Sequence, residues 1–206
     1  MNPLPLDPGD YRGTYKLVGG QLSLDLINTV SWPETAREHD WFDPPTNVTV
    51  WAVENGLIDD KTRRRLDETL TRHPERARSD LARVREIRAT LRSALAPPAR
   101  SDPPSPDAVN RLSALLGDVC GRRRLDPVTL QWSWGSPATL EDVMAPVIWN
   151  AGDVLTTVST ARLGRCPSCD WLFHDTTRNR SRRWCDMADC GSRDKALRYY
   201  HRQTRT

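Results

Sequence analysis

Four of the chain's five cysteines crowd near its C-terminus as Cys166, Cys169, Cys185 and Cys190, spaced C-x2-C, fifteen residues, then C-x4-C. Two cysteines two residues apart on a tight turn can aim both sulfurs at one point, and a second close pair completes a tetrahedron with Zn–S bonds of about 2.3 Å. Pro167 and Ser168 suit that turn. Four thiolates fill the coordination shell and leave no open position for water or substrate, so the expected group is one structural zinc ion. An iron–sulfur cluster would use the same ligands. Buried thiols without metal are the plain alternative, and His174 is a spare donor nearby. Zinc contributes about 10–16 kcal/mol in small finger peptides, enough to fold a segment with little core of its own. Trp171, Leu172, Phe173 and Trp184 would supply that core.

Between the two cysteine pairs, Arg178, Arg180, Arg182 and Arg183 interleave with Thr177, Asn179 and Ser181, a run suited to phosphate oxygens. After Cys190 the pattern predicts a helix to about Gln203, with Lys195, Arg198 and Arg202 on one face and Ala196, Leu197 and Tyr200 turned inward. The free N–H groups at its start, near Gly191 to Arg193, form an anion site. From Arg162 onward there are eleven Lys and Arg against five Asp and Glu, although the whole chain is only +3. A nucleic-acid contact therefore belongs to this end; a merely solvated basic face is the competing reading.

The elements that must position this region are mostly helical. A hydrophobic share of 37% is enough for a core in a chain of this length. Leu22 to Val30 reads as a short helix, with strand as the alternative, and Pro33 to Pro45 as a loop. Thr46 caps a helix ending at Gly56, and Asp59 or Asp60 caps a charged helix to about Arg72. Pro74 opens a longer helix whose Leu81, Val84, Ile87, Leu91 and Leu95 form one buried stripe. Ser105 begins the next helix after a proline-rich connection. Leu125 to Trp134 alternates like a half-buried strand and, with the preceding arginines, suggests a hairpin. Leu140 to Ala161 reads as a long central helix kinked by Pro146, leading directly into the finger.

Other residues carry weaker chemistry. Asp25, Asn28 and Trp51 would line a ligand pocket if their side chains converged, although buried amides more often satisfy backbone groups. Cys120 is expected to be a small buried hydrophobe. His39, Asp40 and Asp43 lack a nucleophile or phosphate loop beside them and read as a polar loop, so no enzymatic activity is expected. No apolar run is long enough for a membrane span, and Met1 to Asp10 has prolines and acids where a leader would be basic and apolar. A cytoplasmic protein follows as the expectation.

The tail WCDMADCGSR with the upstream DTTRNRSRR resembles the CGNR zinc finger of bacterial transcription regulators, and GGQLSLDLINTV with WAVENGLID resembles the ABATE domain usually fused to it. Ser192 stands where the family's namesake motif has Asn. The resemblance implies a domain of residues 1–161 that senses stress or a ligand, or dimerises, followed by a finger at 162–206. The expected fold is mainly α with a small β element around 122–135, and a finger of treble-clef or zinc-ribbon type. The expected function is zinc-dependent DNA binding through Arg178, Arg180, Arg182, Arg183, Arg193, Lys195, Arg198 and Arg202. A zinc-stabilised protein-interaction module is the alternative. The expected partners are DNA, a small-molecule effector and a second copy of the chain.

Overall fold

Gly20, in the left-handed region at φ 73°, turns the chain into the helix at the centre of the molecule. The computed structural model describes residues 2–203, and the side chains of residues 199, 201 and 202 lie outside that description. The central helix is α1 (Leu22–Ile27), with Ser23, Leu24, Asp25, Leu26 and Ile27 all buried. Its apolar residues are nearly consecutive because it is enclosed on all sides, which also made strand a fair reading of the sequence.

Beyond α1, β1 (Val30–Ser31) pairs antiparallel with β2 (His39–Asp40). The segment expected to be only loop thus contains a strand, two residues long and too short to show alternation. Next comes α2 (Thr46–Glu54), with Pro45 rather than Thr46 at its cap position and Gly56 at φ 68° beyond its end. Asp59 caps α3 (Asp60–Arg72), accepting a hydrogen bond from the Thr62 N–H at 2.7 Å. Proline stands in the first turn of α4 (Pro74–Leu95), and the predicted stripe from Leu81 to Leu95 is buried. Ser105 caps α5 (Pro106–Cys120) by accepting from the Ala108 N–H.

Three sequence expectations change in this region. β3 (Arg124–Leu125) and β4 (Trp132–Ser133) form the expected hairpin, but Leu125, Val128, Leu130 and Trp132 are exposed rather than half-buried. Cys120 is exposed, because α5 turns Leu112, Leu115 and Val119 inward instead. The long helix is broken at Met144 into α6 (Leu140–Val143), opened by a Thr139–Asp142 capping box, and α7 (Ala145–Thr156) with Pro146 in its first turn. Pro146 has no N–H to continue the helix, so the break falls there. A short turn at Thr160–Arg162 then separates α7 from the finger.

The finger opens with β5 (Leu163–Arg165) paired antiparallel to β6 (Leu172–His174). Gly164 lies opposite Phe173, and a side chain there would meet the ring at 2.4 Å. A π-helical turn, Met187–Gly191, leads into α8 (Ser192–Gln203). A knuckle hairpin followed by a helix is a treble-clef arrangement. α1 packs on α4, α7 and β6, so one core runs from the helical body into the finger. No helix among the described residues is long and apolar enough to cross a membrane.

Candidate metal centre and basic surface

The turn between β5 and β6 is tight because Cys166 accepts from the Asp170 N–H at 3.0 Å and its own N–H donates to the Trp171 carbonyl at 2.8 Å. Asp170 closes the turn at φ 70°. The second pair is held by the π-turn, where Asp186 accepts from the Ala188 N–H and the Gly191 N–H donates to the Asp186 carbonyl. The four sulfurs are buried and lie within 4.8 Å of one another. Cys169 and Cys185 Sγ are 3.4 Å apart, and Cys185 and Cys190 Sγ 3.5 Å. Those separations are too long for disulfides at about 2.05 Å and close to the edge, about 3.8 Å, of a tetrahedron of 2.3 Å Zn–S bonds. The donor set therefore fits one structural zinc ion, with all four positions taken by protein.

Around this centre the finger is tied to the helical body by buried polar contacts. The Asn28 side-chain amide donates to the Leu172 carbonyl at 2.8 Å and accepts from the Leu172 N–H at 2.8 Å. This pairs α1 with the free edge of β6 as a strand would. The His174 N–H donates to the Gly19 carbonyl at 2.7 Å, and Trp171 Nε1 donates to the Val30 carbonyl at 2.9 Å. Asp25 Oδ1 accepts from the Gly19 N–H at 2.7 Å, an approach so close that a Cβ at Gly19 would stand 2.9 Å from that oxygen. Burial raises the Asp25 carboxyl to about 7, outweighing the backbone N–H groups and the Arg182 charge that pull it down.

Asp25, Asn28 and Trp51 therefore sit buried in the core, their polar atoms engaged by Gly19, Leu172 and Tyr15, which corrects the ligand pocket expected from their spacing. Trp51 is fully buried, its Nε1 donating to the Tyr15 hydroxyl at 3.3 Å. Asp40, in the supposed polar loop, is a structural hub. Arg88 grips both its oxygens at 2.7 and 2.8 Å, and Arg85 donates to it at 2.7 Å. Burial alone would raise its pKa, but the Arg88 contacts prevail and hold it at about 2.

The basic residues divide. Arg178, Arg180 and Arg183 are exposed on a loop whose backbone is pinned from beneath. Asp175 accepts from the Thr177 and Arg182 N–H groups, and Arg162 donates to the Asp175 and Thr177 carbonyls. Arg182 turns the other way, which corrects its place among the expected DNA contacts. Its guanidinium donates to the carbonyls of Val18, His174, Trp184 and Cys185 and lies 4.5 Å from the centre of the Phe173 ring. Carbonyl oxygens arranged around one point draw in the nearest cation, a signal absent from the spacing of arginines along a chain.

On α8, Arg193, Lys195 and Arg198 are exposed, with Arg193 paired to Asp189 at 3.2 Å and Arg198 to Asp194 at 2.5 Å. The Arg202 side chain lies outside the described residues. Ala196, Leu197 and Tyr200 are exposed, contrary to the inward face expected of them, because α8 packs chiefly on the π-turn before it. Ser192 donates to the Met187 carbonyl at 3.3 Å, so the hydroxyl in place of the family's amide serves the turn itself.

A helical body with a closed four-cysteine zinc site docked into its core defines a zinc-finger protein of two joined parts. Residues 20–158 match the family model of ABATE, described as "Putative stress-induced transcription regulator", and residues 162–203 match that of the CGNR zinc finger. The chain belongs to the ABATE family and carries a CGNR finger. No curated protein matches it in sequence.

Proposed function

We propose that this protein regulates transcription by binding DNA through its zinc finger. The observation that carries the reading is the outward-facing set Arg178, Arg180, Arg183, Arg193, Lys195 and Arg198, mounted on a pinned loop and on the helix that follows the last zinc ligand. Guanidinium groups on a rigid frame lose little freedom on meeting phosphates. The metal organises this surface and takes no part in chemistry.

The proposal includes an effector. A cleft of about 630 Å³ lies where α4 and the Trp32 loop meet the zinc knuckle, lined by Trp32, Arg92, Arg165 and Asp170 among others. Arg92 and Arg165 both pair with Asp170, so a small molecule bound there would touch the body and the finger at once. Dimerisation in the cytoplasm completes the reading.

The test is fluorescence anisotropy of zinc-loaded protein with a mixed-sequence DNA duplex at about 50 and 200 mM salt. Six phosphate contacts predict an affinity loss on the order of a thousandfold between those salts. Arg178→Glu with Arg183→Glu should abolish most of the binding while zinc content is retained. A second reading has its own observation: Met187, Leu197 and Tyr200 expose apolar surface on the π-turn and α8, which suits a protein partner. Zinc-loaded protein without affinity for DNA at low salt would favour that reading.

A further inference from the structure

The finger's basic residues continue onto the helical body. A second cavity of about 450 Å³ lies beside the metal site, and its charged lining is Arg12 and Lys16 from the N-terminal segment, Arg37 from the β1–β2 loop, and Arg193, Asp186 and Asp189 from the finger. By count that is four cations against two anions. Lys16 is taken by Asp186 at 2.8 Å and Arg193 is paired with Asp189, whereas no ion pair among the described residues engages Arg12 or Arg37. Arg12 and Arg37 are both exposed.

At the centre of this seam stands Trp32. Arg37 stacks on its ring at 3.9 Å from the ring centre, and Arg193 of α8 lies 5.4 Å from the same centre. One indole thus holds guanidinium groups from both parts of the protein, and cation–π contact orients such groups while leaving their N–H edges available. The indole is itself fixed. Its Nε1 donates to the Tyr11 hydroxyl at 3.0 Å, Tyr11 stacks on His39, and the Trp32 carbonyl accepts from the Thr35 hydroxyl at 2.7 Å. Trp32 holds φ 55°, a backbone conformation that a bulky aromatic adopts only when its surroundings impose it.

We propose that Arg12, Arg37 and Arg193 form a second phosphate-contacting edge, so that a DNA backbone crosses the seam between the finger and the helical body. This rests on the DNA-binding reading above and extends it to residues outside the finger. It follows that the helical body takes part in binding directly, and that Trp32 is a positioning residue for the contact.

The experiment compares three zinc-loaded full-length proteins on the same mixed-sequence duplex across a salt series: wild type, Arg12→Glu with Arg37→Glu, and Arg178→Glu with Arg183→Glu. The seam variant should bind at least tenfold more weakly, and its salt dependence should fall by about two in log–log slope, one for each phosphate contact removed. A seam variant with wild-type affinity and slope, beside a loop variant that has lost binding, would overturn the inference and leave the DNA-binding reading standing. Wild type without affinity at low salt would overturn both. Zinc content and circular dichroism verify folding; should the Glu pair misfold, Arg12→Gln with Arg37→Gln must show the same change in slope or the inference fails.

Discussion

Asp25 is an acid whose burial favours its protonated form, and that has a thermodynamic consequence. An unfolded aspartate titrates near 3.9, whereas this one is raised to about 7 in the fold. Between those values the folded state holds one proton more than the unfolded state, so the stability linked to Asp25 is fully present below about pH 3.9 and falls as pH rises to 7, by up to about 4 kcal/mol. Asp25→Asn should remove this slope while keeping an oxygen for the Gly19 amide. Urea midpoints at pH 5 and pH 8 would check it: wild type should lose more stability than the variant over that step, and parallel losses would rule the account out. At the same scale, Asn28→Ala leaves the buried N–H and C=O of Leu172 unpaired and should cost about 2–5 kcal/mol in the same assay. The zinc ligands were legible because metal chemistry is written in residue type and spacing alone. Asn28 and Arg182 were not, since what decides their roles is a set of backbone groups 144 and up to 164 residues away in sequence.

The helices show a similar division. The α4 stripe and the Asp59 and Ser105 caps are local matters of period and backbone chemistry, and the sequence carries them openly, whereas the kink expected at Pro146 is a full break into two helices. The same α4 stripe also buries Arg88, which propensity counts as a surface residue; the pairing with Asp40 on β2 and a 2.8 Å hydrogen bond to the Thr29 hydroxyl account for it. That pair ties α4 to the β1–β2 hairpin, and the hairpin carries the loop with Trp32 and Arg37. Asp40→Asn should therefore destabilise the fold by about 3–5 kcal/mol at neutral pH, because a buried guanidinium loses its counter-charge. Asp40→Asn combined with Arg88→Met should recover much of that loss. Equal unfolding midpoints for wild type and Asp40→Asn would show that the pair does not hold the hairpin. The apolar face of α8 is exposed against its pattern because an amphipathic pattern says which residues could be buried, not whether a partner element reaches them.

For the molecule as a whole, the important fact is that one core spans both parts, with Leu163, Trp171, Leu172 and Phe173 of the finger in the same cluster as Leu24, Ile27 and Leu91. Zinc removal should therefore be felt well beyond the finger. A strong chelator should lower the thermal midpoint of the helical signal in far-ultraviolet circular dichroism, and restored zinc should return it. A helical melting curve indifferent to the chelator would mean that the two parts fold independently. The family resemblance implies a division at residue 161, but such a division marks where motifs end, not where packing ends. The Asn28 amide shows the practical side of this. By standing in for a strand at the edge of β6, it makes the helical body part of the finger's own sheet. Grafting residues 162–206 onto another scaffold would leave that edge bare, so a transplanted finger would need a substitute amide from its new host or would tend to pair with another bare edge in solution.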